Sequence, residues 1–387
     1  RKEDKKLRNL FVPIGAGNNI GCSSYFISVE GTNILLDAGS KKIPQSAGET
    51  YPQYDFLTQN VINDFSEIDA VFVSHAHYDH IGSLPYLSTR LPPETRFYTT
   101  KGTKELIKLQ FVDFNRDLGK NESKKIKDLK REETARMLER FCEIPYSTMK
   151  RPQGVRIRES TVEFYPAGHM FGASMTFIRT DNIKILYTGD FSIKEMSPAV
   201  RILKPDILIL NATYGYRPYS IQKQTAEQMF NEINAQILNG HNVLIQSGNI
   251  SKQLDVFDIL RHFKPSCDVY LDRGLELSAK AFGNLGISVY SERVKDYRKE
   301  RPQPHILFSS VGVNNEYRYK VINADLYSLH PTFQELENFV IRIGASKVFV
   351  VHTQPNPKVF GIADTLRKNP AFKGDIVQCC DCEIYDF

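Results

Sequence analysis

The sequence contains no tryptophan, no run of about eighteen apolar residues and no evenly spaced set of cysteines. Without a long apolar run, no membrane-spanning helix is expected, and the first residues, RKEDKKLRNL, lack the apolar core of a signal peptide. The uneven spacing of the six cysteines argues against a disulfide framework and predicts free thiols in a cytoplasmic protein. Cys379 and Cys382 form one C-x-x-C, but a zinc ribbon needs a second pair.

Length and charge set broad limits on the class of protein. A chain of 387 residues predicts two or three folded units. Its 50 basic and 45 acidic residues give a net charge of +5, which is compatible with a polyanionic partner without requiring one. The 24 phenylalanines and 19 tyrosines supply many rings for cores or for stacking on nucleic acid bases.

Short apolar or alternating segments separated by glycines predict strands in the first half of the chain. The predicted strands are Phe11–Ile14, Tyr25–Val29, Asn33–Leu36, Ala70–Val73, Thr161–Pro166, Met175–Arg179 and Ile183–Thr188. Between them, Thr103–Phe141 is predicted to be helical. Its mixed charges favour a solvated helical face over a stripe that binds nucleic acid.

After Pro205, predicted strands and helices alternate, which is typical of a parallel α/β unit. The strands are Ile207–Leu210, Asn242–Gln246, Val269–Leu271, Ile306–Ser309, Lys347–Val351 and Asp375–Cys379, and the helices include Thr225–Leu238, Phe333–Ile343 and Asp364–Lys368. The charged segment Arg293–Pro304 is predicted to be an exposed loop. Its basic residues and Tyr297 could contact a nucleic acid, with a solvated loop as the alternative.

The strongest chemical signal is the heptapeptide SHAHYDH at residues 74–80, which directly follows the predicted strand Ala70–Val73. It holds three of the nine histidines of the chain, His75, His77 and His80, within six positions. Imidazole and carboxylate ligands suit zinc, with manganese or iron as alternatives. Two further candidates, His169 and Asp190, lie in loops beside strand ends, flanked by small residues that let a loop pass close to an ion.

The order H-x-H-x-D-H, then G-H at 168–169, then T-G-D-F-S at 188–192 resembles the motifs of metallo-β-lactamase-fold hydrolases. Later motifs resemble the β-CASP nuclease branch, which includes ribonuclease J and the cleavage-and-polyadenylation endonuclease. They are N-A-T-Y-G at 211–215, S-L-H at 328–330 and the strand-end histidine of V-V-H at 350–352. The resemblance extends from Pro13 to His352.

The resemblance implies an α/β fold, namely a metallo-β-lactamase αββα sandwich carrying an inserted, shortened α/β β-CASP-like cap domain. Residues 1–212 and 329–387 would form the sandwich, and residues 213–328 the insertion. It also implies seven ligands for two zinc ions, with His75, His77 and His169 on one ion, Asp79, His80 and His352 on the other, and Asp190 bridging. Asp79, Asn211 and His330 are the residues expected to act in catalysis.

The chain departs from the family pattern at four points. Asn211 replaces a carboxylate, Thr353 and Gln354 replace a common Gly-Glu, Pro331 follows His330, and only 119 positions (330 − 211) separate Asn211 from His330. In the family pattern the carboxylate contacts the S-x-H histidine and raises its pKa. Asn211 is therefore expected to contact His330 without adding charge, so that His330 holds its proton less well than in relatives.

Two divalent ions about 3.5–4 Å apart can hold a bridging hydroxide at neutral pH and bind phosphodiester oxygens. The expected activity is hydrolysis of RNA, with single-stranded DNA as an alternative substrate and His330 as general acid. Ser247, Asn249, Ser309 and Ser310 follow predicted strands and could bind phosphate through backbone amides, with plain helix caps as the alternative. A hydrolase of a small phosphodiester or ester and a non-catalytic nucleic-acid-binding protein remain alternatives, and a homodimer stays open.

Overall fold

A computed structural model of the chain describes residues 8–42, 49–117, 124–194, 196–216, 226–246, 256, 260, 264–284, 286, 290–309, 317–324 and 330–387. The chain divides into two compact units. Unit 1 comprises Arg1–Pro218 and His330–Phe387, and unit 2 comprises Tyr219–Leu329. Among the described helices, none combines the length and apolar character needed to cross a bilayer. The six cysteines form no disulfide, as predicted.

The described elements are mostly short strands. These are β1 (Leu10–Gly15), β2 (Ser24–Val29), β3 (Thr32–Leu36), β4 (Lys41–Lys42), β5 (Glu49–Thr50), β6 (Ala70–Phe72), β7 (Arg96–Thr99), β8 (Phe141–Glu143), β9 (Gly154–Ile157), β10 (Ser160–Pro166), β11 (Ser174–Arg179), β12 (Lys184–Tyr187), β13 (Ile207–Asn211), β14 (Val243–Gln246), β15 (Asp268–Leu271), β16 (Val294–Lys295), β17 (His305–Ser309), β18 (Lys320–Asn323), β19 (Lys347–Val351), β20 (Asp375–Gln378) and β21 (Tyr385–Asp386). The α-helices are α1 (Tyr54–Asn60), α2 (Tyr78–Ile81), α3 (Leu84–Arg90), α4 (Lys101–Asp117), α5 (Lys124–Glu139), α6 (Ala226–Leu238), α7 (Arg273–Asn284), α8 (Phe333–Ile343) and α9 (Ile362–Lys368).

Unit 1 is built on two seven-stranded sheets, with strand orders β21-β1-β2-β3-β6-β7-β8 and β20-β19-β13-β12-β11-β10-β9. Each sheet combines antiparallel pairings, which include that of β1 with β21, and parallel pairings. In the first sheet, β3, β6, β7 and β8 run parallel, and in the second, β12, β13, β19 and β20 run parallel. The parallel strands matter for function because their carboxyl ends share one edge of each sheet.

One apolar core joins the two sheets of unit 1. Side chains from both sheets pack in it, and the rings of Phe11 on β1 and Phe349 on β19 lie 4.8 Å apart, centroid to centroid. Strand β13 is buried at all five positions, which requires cover on both faces, by the other sheet and by helices. The predicted metallo-β-lactamase sandwich is confirmed by these paired sheets.

Unit 2 has a five-stranded sheet with the order β16-β15-β17-β14-β18. All its described pairings are parallel, which confirms the parallel α/β texture predicted after Pro205. Leu244, Tyr270 and Leu307 form an apolar cluster of its own in this unit.

Helix α8 shows why some predicted bounds match the structure residue for residue. Its first turn carries a capping box, in which the Thr332 hydroxyl accepts from the Glu335 amide and the Glu335 carboxylate accepts from the Thr332 amide. Gly344 ends the helix with φ at 69°, a conformation that glycine adopts without strain. Both signals are local, so the sequence alone contains them.

The segment Arg293–Pro304 is only partly the exposed loop that the sequence predicts. Val294–Lys295 forms β16 and pairs with β15, and Arg301 is only 7% exposed. The Arg301 guanidinium lies 4.8 Å from the ring centroid of Tyr317 and donates to the Tyr319 hydroxyl at 3.0 Å. Aromatic rings and hydroxyls can thus accommodate a buried cation, which a count of charges does not anticipate.

Candidate metal centre

The candidate ligands lie where strands of unit 1 end. The histidine motif follows β6, Asp190 follows β12, and His352 directly follows β19. His169 lies in the turn between β10 and β11. Because adjacent parallel strands end at one edge of a sheet, residues far apart in sequence meet there.

The first group of ligand atoms comes from His75, His77, His169 and Asp190, all of them buried. The Nδ1 atom of His77 lies 3.1 Å from the Nε2 atoms of both His75 and His169. A tetrahedral zinc ion with Zn–N bonds of about 2.0–2.1 Å holds its ligand nitrogens roughly 3.3 Å apart. The observed spacing fits an ion held among these three nitrogens.

The second group consists of Asp79, His80 and His352. The Asp79 Oδ2 atom lies 3.9 Å from His80 Nε2 and 3.7 Å from His352 Nε2. The two histidines are buried, whereas the Asp79 side chain is 31% exposed. Two imidazoles and a carboxylate facing solvent form an open ligand set, as in catalytic sites that keep one position for water or substrate.

Asp190 lies between the two groups. Its Oδ2 atom is 3.7 Å from His75 Nε2 and from His80 Nε2, and its Oδ1 atom is 3.8 Å from His352 Nε2. Burial raises the pKa of this carboxyl, but His352, His330 and the other histidines outweigh burial and hold it well below its usual range. Asp190 is therefore a carboxylate positioned within reach of both groups.

Burial and neighbouring charges set the protonation of the imidazoles. Burial lowers the pKa of His75 and of His169 well below the usual value, and neighbouring histidines lower both further. These two rings are neutral at physiological pH and can offer a lone pair to a cation. Burial also lowers the pKa of His80, but the carboxylates of Asp190, Asp79 and Asp37 outweigh it and raise the pKa to about 9.

The Asp37 carboxylate is a functional residue that sequence reasoning missed. It follows β3 and is completely buried, and its Oδ2 atom accepts hydrogen bonds from His80 Nδ1 at 2.7 Å, the Ser74 hydroxyl at 2.7 Å and the Tyr187 hydroxyl at 2.5 Å. The Ser74 amide donates to Oδ1 at 2.7 Å. Asp37 thus orients the His80 ring with Nε2 toward the ligand group.

Ser23 supports the second group in a similar way and was also missed. Its hydroxyl lies 2.9 Å from His352 Nδ1 and 3.4 Å from His80 Nε2. The His352 amide donates to the carbonyl of Ala16 at 2.7 Å, which ties the ligand to the segment between β1 and β2. Isolated serines and aspartates are too common in sequences to single out these positions.

His330 lies beside the two ligand groups. Its Nε2 atom is 3.8 Å from Asp190 Oδ2, and its Nδ1 atom is 3.3 Å from the Thr213 hydroxyl. Its ring centroid is 4.6 Å from that of His169. With 13% of its side chain exposed, His330 is open to solvent, unlike the buried ligand His75.

Asn211 has a different partner from the one that the family pattern implies. Its Nδ2 atom donates to Asp190 Oδ1 at 3.1 Å, and its Oδ1 atom is buried without a hydrogen-bond partner among the described residues. The Asn211 side-chain amide therefore donates a hydrogen bond to the candidate ligand Asp190 and not to His330. Its influence on the site passes through Asp190.

Of the four candidate phosphate contacts, the structure describes one, Ser309. Ser247, Asn249 and Ser310 lie outside them. Ser309, at the end of β17 in unit 2, is 1% exposed, and its hydroxyl donates to Asp272 Oδ2 at 3.1 Å. Phosphate binding through the backbone amides of these residues stays a prediction.

Comparison with known proteins agrees with this geometry. Residues 26–196 match the metallo-β-lactamase superfamily domain. The chain is 24% identical over 363 residues to the endoribonuclease ysh1 of Schizosaccharomyces pombe, covering 90% of this chain and 44% of that protein. It is 26% identical over 296 residues to Integrator complex subunit 11 of Danio rerio, covering 73% and 48%. It is 29% identical over 262 residues to the cleavage and polyadenylation specificity factor 73 of Drosophila melanogaster, covering 65% and 35%.

The chain therefore contains a metallo-β-lactamase superfamily domain, and its resemblance to the β-CASP nuclease branch is confirmed. It spans less than half the length of these curated relatives. A crystal structure of an Enterococcus faecalis protein of unknown function shares the fold, with a TM-score of 0.67 at 17% identity over 98% of this chain and 100% of that one. The fold and the clustered histidines and aspartates imply a divalent metal site.

Proposed function

We propose that this chain is a metal-dependent ribonuclease that hydrolyses phosphodiester bonds in RNA, with single-stranded DNA as an alternative substrate. The observation that carries the proposal is the meeting of seven ligand-type side chains in two groups, with Asp190 within reach of both. A single structural ion needs about four ligands, whereas two adjacent sets sharing a carboxylate are typical of two-metal hydrolases. The similarity to named endoribonucleases supports RNA as the substrate.

The chain's residues fit two zinc ions, with manganese or iron as alternatives. His75, His77 and His169 would hold one ion, Asp79, His80 and His352 the other, and Asp190 both. When bound, such ions activate water at neutral pH and offset the negative charge of a phosphodiester. The protein's own part is to keep the rings of His75 and His169 neutral and to hold the ligand rings buried and oriented. Hydrogen bonds from His80 to Asp37 and between His352 and Ser23 provide the orientation.

In this proposal His330 donates a proton to the leaving oxygen through Nε2, the nitrogen beside Asp190. The Thr213 hydroxyl near Nδ1 holds the ring in that orientation. The Asp190 Oδ2 atom, 3.8 Å away, places a carboxylate beside the same nitrogen. His330→Ala is expected to lower turnover by about 10²–10⁴-fold while the metal content is unchanged.

Unit 2 is, in the same proposal, the inserted β-CASP-like domain. The chain leaves unit 1 after Pro218 and returns to it at His330. The parallel α/β sheet of unit 2 is the kind of insertion that the motif order implies. Small-ester hydrolases usually lack such an insertion, which favours a nucleic acid substrate.

The test combines metal analysis with an RNA cleavage assay. The purified, zinc-reconstituted protein is expected to hold about two zinc equivalents and to cleave end-labelled single-stranded RNA in a chelator-sensitive reaction. Asp190→Ala should lose the bridging ligand and abolish hydrolysis. His241→Ala, an exposed histidine in unit 2, is the matched control and should cleave like the unaltered protein.

The cleavage assay also separates the alternatives. Hydrolysis of a small phosphodiester with no cleavage of RNA or single-stranded DNA would replace the proposal with a small-molecule hydrolase. RNA binding without metal-dependent hydrolysis of any substrate would indicate a non-catalytic binding protein. A folded protein that takes up no metal after reconstitution would overturn the two-metal site itself.

A further inference from the structure

The exposed ring of Phe360 lies near the end of the loop 353–361, which directly follows the candidate ligand His352. Phe360 is 68% exposed, and residues 354–358 of the loop are exposed as well. Single exposed apolar residues are common on protein surfaces and by themselves indicate nothing. Among the large exposed apolar residues that the structure describes, however, Phe360 is the only phenylalanine. Whether Phe360 has a function therefore depends on where it lies and which residues surround it.

Both ends of this loop are attached to β13 or to the segment that directly follows it. The loop starts at the carboxyl end of β19, whose last residue, Val351, pairs with Asn211 of β13. At its other end, the Ile362 amide donates to the Gly215 carbonyl at 2.8 Å. Gly361 packs so closely on Tyr216 that an added Cβ would lie 2.5 Å from that ring.

These contacts bring Phe360 near the proposed reaction centre. Thr213, which touches His330, and Tyr216, which touches the neighbour of Phe360, are three residues apart, at most about 10 Å of chain. Phe360 is thus within a few nucleotides' length of the proposed reaction centre along a bound strand.

Two lysines give this surface a positive charge. The Lys368 amine lies 4.0 Å from the centroid of the Phe360 ring, and Lys358 is an exposed residue of the same loop. In the part of the chain that the structure describes, neither lysine has a carboxylate partner, whereas the nearby Arg367 pairs with Asp364 at 2.9 Å. An exposed ring beside two unneutralised cations has the chemistry of a nucleic acid subsite, where a base stacks and the phosphates face lysines.

We propose that Phe360 is a base-stacking residue for single-stranded RNA, with Lys358 and Lys368 facing the phosphates beside the stacked base. This subsite rests on the proposed ribonuclease function and specifies how the substrate is held. Bases in a duplex are already stacked on both faces, so a stacking side chain captures only an unpaired strand.

The test compares variants of the full chain on two ligands of equal length and charge, namely single-stranded RNA and an abasic ribose-phosphate oligomer. Phe360→Ala should weaken RNA binding about 5-fold or more, the lower limit expected for losing one base–aromatic stack, and leave abasic binding unchanged. Phe360→Trp should restore binding, and Phe360→Leu should not. Lys368→Gln should weaken both ligands. Ile202→Ala, another exposed apolar residue of unit 1, is the matched control.

Binding is measured by fluorescence anisotropy on chelated protein, and cleavage on the zinc-loaded protein. In cleavage, Phe360→Ala should raise KM for RNA with kcat changed less than about twofold, as expected when uniform binding is lost. Equal RNA affinity of Phe360→Ala and the unaltered protein would overturn the subsite while leaving the ribonuclease proposal intact. Phe360-dependent RNA binding without any cleavage would retain the subsite and reject the nuclease.

Discussion

Replacing Asp37 with asparagine tests how far the candidate metal centre depends on a residue that touches no ion. The carboxylate accepts four hydrogen bonds, three at Oδ2 and one at Oδ1, and asparagine of the same shape must turn an NH₂ group toward one set of donors. If the NH₂ group faces the Ser74 amide, that backbone donor stays unpaired. If it faces His80, the ring must move its proton to Nε2, the atom that would bind metal.

Either outcome has a calculable cost. A buried unpaired amide costs about 1–3 kcal/mol, and loss of the residue that orients a metal-bound histidine typically lowers metal affinity 10–100-fold. Asp37→Asn is therefore expected to weaken zinc at the group of Asp79, His80 and His352 by about 10–100-fold. Affinity at the group of His75, His77 and His169 should change less, since Asp37 is linked to this group only indirectly, through the Ser74 hydroxyl, which lies 3.0 Å from His75 Nδ1.

The assay is a zinc titration against a chromophoric chelator, which resolves two sites of different affinity. Tyr187→Phe is the matched control, because it removes one donor to Asp37 but keeps the negative charge and the His80 hydrogen bond. Its zinc affinities should stay within about threefold of the unaltered protein, and its circular dichroism spectrum checks that the fold is retained. Unaltered affinity of a folded Asp37→Asn variant at both sites would refute this role of Asp37.

Three further outcomes are expected. Asp381→Ala removes the acceptor of the Gly17 amide, which donates to Oδ1 at 2.6 Å, so the free energy of unfolding in urea should fall by about 1–3 kcal/mol. Burial lowers the pKa of His305 from 6.5 to about 4, so between these pH values the unfolded chain binds a proton that the folded chain does not. The free energy of unfolding should therefore fall as the pH drops from 6.5 toward 4. The urea midpoint should be lower at pH 5 than at pH 8, and this difference should be smaller in His305→Gln. Gly39→Ala would place a Cβ 1.7 Å from the Asp79 carbonyl oxygen and should reduce zinc content by metal analysis.

The sequence alone determined the elements whose signals are local. Helix α8 matches the predicted bounds Phe333–Ile343, and its capping box and terminal glycine lie within a few residues of its ends. The histidine motif at 74–80 stood out because rare, ligand-type side chains crowd into seven positions. Both are properties of short segments, which the chain displays before it folds.

Only the tertiary structure decided which distant residues act together. Asp37 has no unusual neighbours in sequence and becomes part of the site because β3 runs beside β6, with the Asp37 amide donating to the Phe72 carbonyl at 2.8 Å. In the sequence, Arg301 cannot be told apart from its charged neighbours. In the structure it is buried against tyrosines of another segment. Asn211 was expected to contact His330, yet its amide reaches Asp190, because the meeting of β12 and β13 sets which side chains face each other. Such partnerships depend on strand order and register, which long-range packing selects and no short segment encodes.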